Sequence, residues 1–407
     1  MMTTPCQTKA ATSLSQHSPI LRLAWMGLSV LVASAMLPGC PPDPGTPVVV
    51  TIDDARLELL LRLELDVLSG DILSTDMERL LGFSAPEEGV ASLAGMEYAT
   101  NLVTLDLAGN EIDDLSPLTN LAQLVELDLS DNLIAALPDL SGMAALEVLD
   151  LSRNQLTDLA ALADVDTLRV LDVSRNSLAS MEGIEGLRFL EGVNLSRNAL
   201  TGLIAFTNAP ALTALSVAYN QLAALDGIEG LSGLTELNVG GNSIADLASV
   251  ASLSNLSDLD AHDNGVEDIS PLAGLTQLER VDLSSNPLTS VAALADAVLL
   301  EELDLSNCEL EDINALLGLT NLALLDLVGN QIIDVLPLSR MEAIESLYLD
   351  NNAIETLHPL LDNDGLGDGD IISVNGNPLT QRTICDDVRY LRERGVTVAL
   401  NDVCETD

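Results

Sequence analysis

Acid–base and metal chemistry need histidines, and this chain has three, of which His17 lies in a stretch that reads as a leader. His262 sits in DLDAHDN beside Asp258, Asp260 and Asp263, and Asp282 follows Asp260 by 22 residues. One imidazole among carboxylates is the beginning of a divalent-cation site, which makes His262, Asp260 and Asp263 the weak metal candidates. No second histidine, cysteine pair or nucleophile elbow accompanies them, so no catalytic residue, no cofactor and no firm metal site is expected. His358 precedes Pro359 as Ser116 precedes Pro117, the mark of a repeated turn. The segment DNDGLGDGD, residues 362–370, has Leu366 where a calcium loop needs Asp or Asn, and no Glu closes it. Its glycines read as a turn.

Recognition is the other chemistry on offer. Arg153, Arg175 and Arg197 each stand directly before an asparagine, and Tyr219 takes the same place before Asn220. Such a row can grip a carboxylate-bearing or sulfated partner, with Tyr219 as a packing anchor. It can equally neutralise the nearby Asp150 and Asp172. Both readings stand at this level.

These residues must be held by something periodic. Asn110, Asn132, Asn154, Asn176, Asn198, Asn220, Asn242, Asn264, Asn286, Cys308, Asn330 and Asn352 follow one another at steps of 22 residues. A degenerate unit precedes them around Phe83 to Leu93, and a longer one ends at Asn377, which makes 14 units. In each LxLxxN block, alternate residues of a short strand point inward, so Leu105 and Leu107 bury while Asp106 faces out. Asn turns the chain, and Ile112, Leu115 and Leu118 form the return arm. One coil cannot bury its apolar edge alone, whereas stacked coils share a core. Fourteen strands at about 4.8 Å make a parallel sheet roughly 65 Å long.

Residues 83–379 resemble the leucine-rich repeat family, specifically the 22-residue type of internalins and phosphatase-regulating repeat proteins, which also accepts Cys at the Asn position. The resemblance implies an α/β solenoid: a curved horseshoe of about 14 repeats with its parallel sheet on a concave, partner-binding face. Between the strand leucines, that face would carry Asp106, Asp128, Asp150, Asp172, Asn194, Ser216, Asn238, Asp260, Asp282, Asp304, Asp326, Tyr348 and Ser373. Eight carboxylates in a ladder repel one another unless solvent, cations or a ligand compensate. A solvated acidic face that serves only solubility accounts for them too. Internalin-like binding faces are richer in aromatics; here only Tyr219 and Tyr348 appear.

Both ends need caps. Residues 52–68 read as an amphipathic helix begun by Asp53 or Asp54, and a second helix starts at Thr75 with a Thr75–Glu78 capping box. Downstream, residues 380–394 read as a helix and 396–400 as a last strand.

The first 39 residues contain no Asp or Glu, and an apolar run from Leu23 to Leu37 ends in LPGC. That run is short for a membrane span and suits a signal peptide. The LPGC box resembles a bacterial lipobox, which implies lipidation of Cys40; ordinary secretion after Ala33-Ser34-Ala35 is the alternative. The expected divisions are 1–39 signal peptide, 40–50 lipidated Cys and Pro-rich tether, 51–82 helical cap, 83–379 repeats and 380–407 C-terminal cap. Pro41 after the cysteine suggests, by resemblance to lipoprotein sorting, an outer-membrane address, on the cell surface or facing the periplasm. In an exported chain Cys385 and Cys404, which bracket the last unit, are expected to form a disulfide, with Cys308 buried.

The composition agrees. With 63 acidic against 16 basic residues and a net charge of −47, nothing spreads positive charge over a nucleic-acid backbone. At 47% hydrophobic but 2% aromatic, the chain must build an aliphatic core. The reading is a non-enzymatic, lipid-anchored protein that binds a protein or glycan on its concave face. The alternatives are a structural acidic envelope protein without a ligand, or a regulator of another envelope protein. No apolar surface stripe announces an oligomer.

Overall fold

The computed structural model describes residues 47–404 apart from 204, 205, 207 and 208. The expected leader, Cys40 and most of the tether lie outside the described residues. No helix among the described residues is long and apolar enough to cross a membrane.

Strand formation follows the LxLxxN blocks. Each coil contributes a three-residue strand, from β1 (Gly82–Ser84) and β2 (Thr104–Asp106) through β4 (Val148–Asp150), β5 (Val170–Asp172), β6 (Gly192–Asn194), β7 (Ala214–Ser216) and β8 (Glu236–Asn238) to β14 (Ile371–Ser373). A last strand, β15 (Thr397–Ala399), belongs to the C-terminal cap. All pair in parallel in sequence order, as one unclosed 15-stranded sheet. The register follows the ruler: Leu105 lies opposite Leu127, and Asp106 opposite Asp128. The fold is the curved leucine-rich repeat solenoid that the 22-residue period implies.

The inward leucines and the return-arm residues form one buried core from Val50 to Val398. Ser116–Leu118, Ala160–Leu162 and their equivalents are short 3-10 turns on that arm. Asparagine is required at each corner because its amide serves two coils at once. Asn132 Nδ2 donates to the carbonyls of Leu107 in the preceding coil (3.0 Å) and of Leu129 in its own (3.1 Å). Its Oδ1 accepts the Ile112 N–H at 3.0 Å. These are buried polar groups, and each would cost about 1–3 kcal/mol unsatisfied. Cys308 holds the slot with Sγ 3.2 Å from the Leu283 carbonyl. It has no amide oxygen to offer, and the Leu288 N–H turns to the Asn286 carbonyl, 2.9 Å away.

The caps differ in detail from the expected bounds. Helix α1 spans Ala55–Glu64, and Asp54 caps it by accepting the N–H groups of Arg56 and Leu57. It stops short of residue 68 because Asp66 takes a left-handed conformation, φ 56°. Helix α2 is Ser74–Met77. It is capped two positions before the expected box: Asp76 reaches back to the Leu73 N–H, and Thr75 is not its cap. At the other end the expected helix is divided into a π-turn, Thr383–Asp387, and α3, Val388–Glu393. The Cys385–Cys404 disulfide forms, with Cα atoms 5.0 Å apart.

Candidate functional site

The residue before the corner asparagine must take a left-handed backbone in every coil from Asn110 to Asn377, since that conformation turns the strand into the return arm. Most coils meet the requirement with residues that tolerate it: Gly109, Asp131, Gly241, Asp263, Asn307 and Asn351 among them. Arg153 (φ 56°), Arg175 (56°), Arg197 (58°) and Tyr219 (54°) do not belong to that set. For an L-residue the left-handed region costs roughly 1–2 kcal/mol, least for Gly, Asn and Asp. Four consecutive coils therefore carry strain that Gly, Asn or Asp would relieve. Sequence reasoning found the row but missed this; the Gly, Asp and Asn at the same offset were the available signal.

All four side chains are exposed, as expected. They line a groove of about 830 Å³ together with ladder residues including Asp128, Asp172, Asn194, Ser216 and Asn238. Arg197 lies over the Tyr219 ring, 4.1 Å from its centroid, a cation–π contact. Two other arginines are ion-paired between neighbouring coils: Arg169 between Glu147 and Glu191, and Arg280 with Asp258.

The ladder departs from the expected solvated face. Asp128, Asp150 and Asp172 are buried, as are Asn194 and Ser216. Each short carboxylate curls back onto the N–H two residues on, Ser130, Ser152 and Ser174 respectively, at 2.8–2.9 Å, as those of the half-buried Asp282 and Asp304 do, and in this stretch the arginine row lines the same groove. The carboxylate thus lies down on the sheet, below the longer side chains. Burial, with the Asp150 charge next, pushes Asp128 up to about 6 and Asp172 up to about 7. Asp304 and Asp326, further along, are also raised, chiefly by burial. Burial and the neighbouring guanidinium groups of Arg153 and Arg197 hold Arg175 below its ordinary value, against the attraction of Asp172.

Where the two halves of the ladder meet, Tyr219 Oη and His262 Nε2 lie 3.0 Å apart. His262 Nδ1 is 2.5 Å from Asp260 Oδ1. The coil between them reads NVGGN. A Cβ on Gly240 would stand 2.3 Å from His262 Nδ1, and one on Gly241 2.5 Å from Tyr219 Cδ1. The glycine pair leaves the room in which the two rings meet. Burial lowers the His262 pKa, but the hydrogen bond and charge of Asp260, with Asp282 and Asp263, outweigh it and raise the value. Asp260, His262 and Asp282 have ligand atoms within 4.8 Å of one another, whereas the expected Asp263 is not in that group. Both imidazole nitrogens already have partners, Asp260 and Tyr219, which leaves no free ring nitrogen for a cation.

The 362–370 loop is a turn. Asn363 is buried and donates to the carbonyls of Leu338 (3.2 Å) and Met341 (3.0 Å). Arg394 donates to the carbonyls of Leu361 and Asn363, which ties the start of the loop to the C-terminal cap. His358 opens a 3-10 turn, as its Pro359 implied. Cys308 is buried, and that burial pushes its thiol up to about 11.

Models of leucine-rich repeats match residues 100–142 and 254–296, as paired copies, and residues 122–178. No curated protein matches the chain. An internalin (inlF) from Listeria monocytogenes has a TM-score of 0.71 at 27% identity, over 86% of this chain and 96% of its own. The Leptospira interrogans LRR protein LIC12759 has a TM-score of 0.71 at 23% identity, over 77% of this chain and 80% of its own. The plant peptide hormone receptor RGFR1, in complex with RGF2, has a TM-score of 0.59 at 22% identity, over 79% of this chain and 59% of its own. With the last two, what is shared is the fold.

Proposed function

We propose that this chain is a non-enzymatic binding protein that holds a protein partner on its concave face, gripping anionic groups with Arg153, Arg175 and Arg197. Tyr219 is the packing anchor, and Asp150 and Asp172 set the charge beneath the row. The observation that carries the reading is the backbone conformation of those four residues: strain retained in four successive coils is characteristic of functional surfaces. A net charge of −47 argues against a nucleic-acid ligand. Similarity to an internalin over most of both chains supports a binding role for the repeats.

The LPGC box, the apolar run Leu23 to Leu37 before it and the lack of acidic residues in that leader support export and lipidation at Cys40, with the solenoid standing off an outer membrane on a Pro-rich tether. The Cys385–Cys404 bridge suits the oxidising space that this address implies. Metabolic labelling with palmitate that is abolished by Cys40→Ser supports the anchor; labelling that survives the substitution removes it.

The binding reading is tested by affinity capture from solubilised envelope and cell-surface extracts. The bait is the purified chain, and the control is its Arg153, Arg175, Arg197→Asn variant, a residue the left-handed backbone accepts. A protein held by the first and lost by the second is the expected result. A captured glycan would change the partner class and keep the site. Equal capture by both baits would retire the arginine row and favour an acidic structural protein.

A further inference from the structure

The charge along the concave face is divided into two parts. Between Asp172 and Asp260 the ladder carries three successive neutral residues, Asn194, Ser216 and Asn238, on β6, β7 and β8. That neutral saddle lies beside the row's end: Arg197 belongs to the coil of Asn194, and Tyr219 to that of Ser216. Asn194 and Ser216 lie buried, and Asn194 gives an amide hydrogen to Asp172 Oδ2 at 3.0 Å, so Asn238 is the saddle's accessible donor. Ser196 Oγ and Ser216 Oγ are 2.5 Å apart, and Asn238 spends its carbonyl oxygen on the Gly240 N–H, leaving its amide nitrogen to a ligand. Arg197 supplies the full positive charge. In so acidic a chain, this is a seat shaped for an anion.

Past the saddle the sign reverses. Asp260, Asp282, Asp304 and Asp326 are register partners on adjacent strands, and a second groove over the first three is lined by Glu236, Asp258 and Glu302 as well, with Arg280 its one cation, paired to Asp258. Like charges opposed in this way stabilise a cation laid across them. The Tyr219–His262 contact joins the two regions.

Resting on the concave-face reading above, we infer that the partner presents an extended peptide of mixed charge. An acidic side chain is seated on the Asn194–Ser216–Asn238 saddle under Arg197 and Tyr219, and a basic side chain lies against Asp282 and Asp304. From β7, three to four strands at about 4.8 Å separate the two seats by roughly 14–19 Å, a distance that four to six extended residues span at about 3.3 Å each. A polyanionic glycan matches only one of the seats.

The test uses a fluorescent peptide with two glutamates and two lysines separated by about five glycine and serine residues. Glutamate-only and lysine-only versions serve as controls, at low ionic strength. The mixed peptide is expected to bind at least about tenfold more tightly than either control. Arg197→Asn should reduce it to the lysine-only level. Asp282→Asn with Asp304→Asn should reduce it to the glutamate-only level, with circular dichroism unchanged. Lysine-only binding equal to the mixed peptide, indifferent to Arg197, would overturn the inference as mere attraction to an acidic protein. Glutamate-only binding equal to the mixed peptide would overturn it while leaving the arginine grip intact. Failure of all three peptides to bind below about 1 mM would also overturn it, with the capture experiment judging the broader reading separately.

Discussion

Tyr219 and His262 are 43 residues apart, yet the phenol oxygen of one meets Nε2 of the other at 3.0 Å. One coil separates them, and the contact passes over its Gly240 and Gly241, where any side chain would collide with one ring or the other. Filling that passage should therefore displace His262. In Gly240→Ala the imidazole must swing away from Asp260 and lose the interaction that raises its pKa. The expected result is a fall in the His262 titration midpoint, read from its imidazole NMR resonances. An unchanged midpoint would mean that the glycine pair serves the turn alone. Because the folded value is raised, His262 contributes stability that is fully present below its unfolded pKa, about 6.5. That contribution is lost as pH rises through the folded value, and His262→Gln should lose it selectively at acid pH.

The arginine row should trade stability for binding. Asn307 and Asn351 occupy the same left-handed position at φ 56°. Arg175→Asn is therefore expected to raise unfolding free energy by about 0.5–1 kcal/mol, measured by urea titration, while weakening partner capture. A variant that loses stability would show that the guanidinium is held for structural reasons.

Carboxylate burial gives a pH signature of the opposite sign from the usual paired aspartate. Asp128 is raised to about 6 from its ordinary 3.8, so the native state binds its proton more tightly than the unfolded chain does. Stability contributed by this group is greatest at acid pH and falls as pH climbs from about 4 to about 6. Asp128→Asn should flatten that part of the melting-temperature profile and raise it above pH 6. The fold already tolerates the change, since Asn194 and Asn238 accept the same N–H two residues on. A variant profile parallel to that of the parent protein would refute the assignment.

Cys308 leaves its corner one acceptor short. Cys308→Asn should restore an amide oxygen to the Leu288 N–H and the donors to Leu283 and Leu305, as Asn330 provides for its own neighbours. A gain of about 1 kcal/mol is expected from thermal or denaturant unfolding. Destabilisation would mean that the core around Cys308 has closed onto the smaller thiol.

The 22-residue step determined the fold by itself. When every coil must bury the same leucines and satisfy the same corner, one repeated pattern leaves one way to stack, and the 14 expected repeat strands appear as β1–β14. Cys385 and Cys404 were legible for a similar reason, as the cysteines bracketing the final unit. Helix limits were less legible, because Asp66 and the π-turn at Thr383 answer to packing against the solenoid ends rather than to local spacing. Residue types along the concave face were also readable: the row of Arg153, Arg175 and Arg197, and the run of aspartates. What those residues experience was decided only by the stacked coils. Stacking places Arg175 between two like charges, lays Asp172 down among its neighbours and brings Tyr219 to His262 across a glycine coil. A pattern in sequence records which face a side chain takes, but its strain, burial and partners are properties of adjacent coils at a fixed spacing, and those exist only once the solenoid is built.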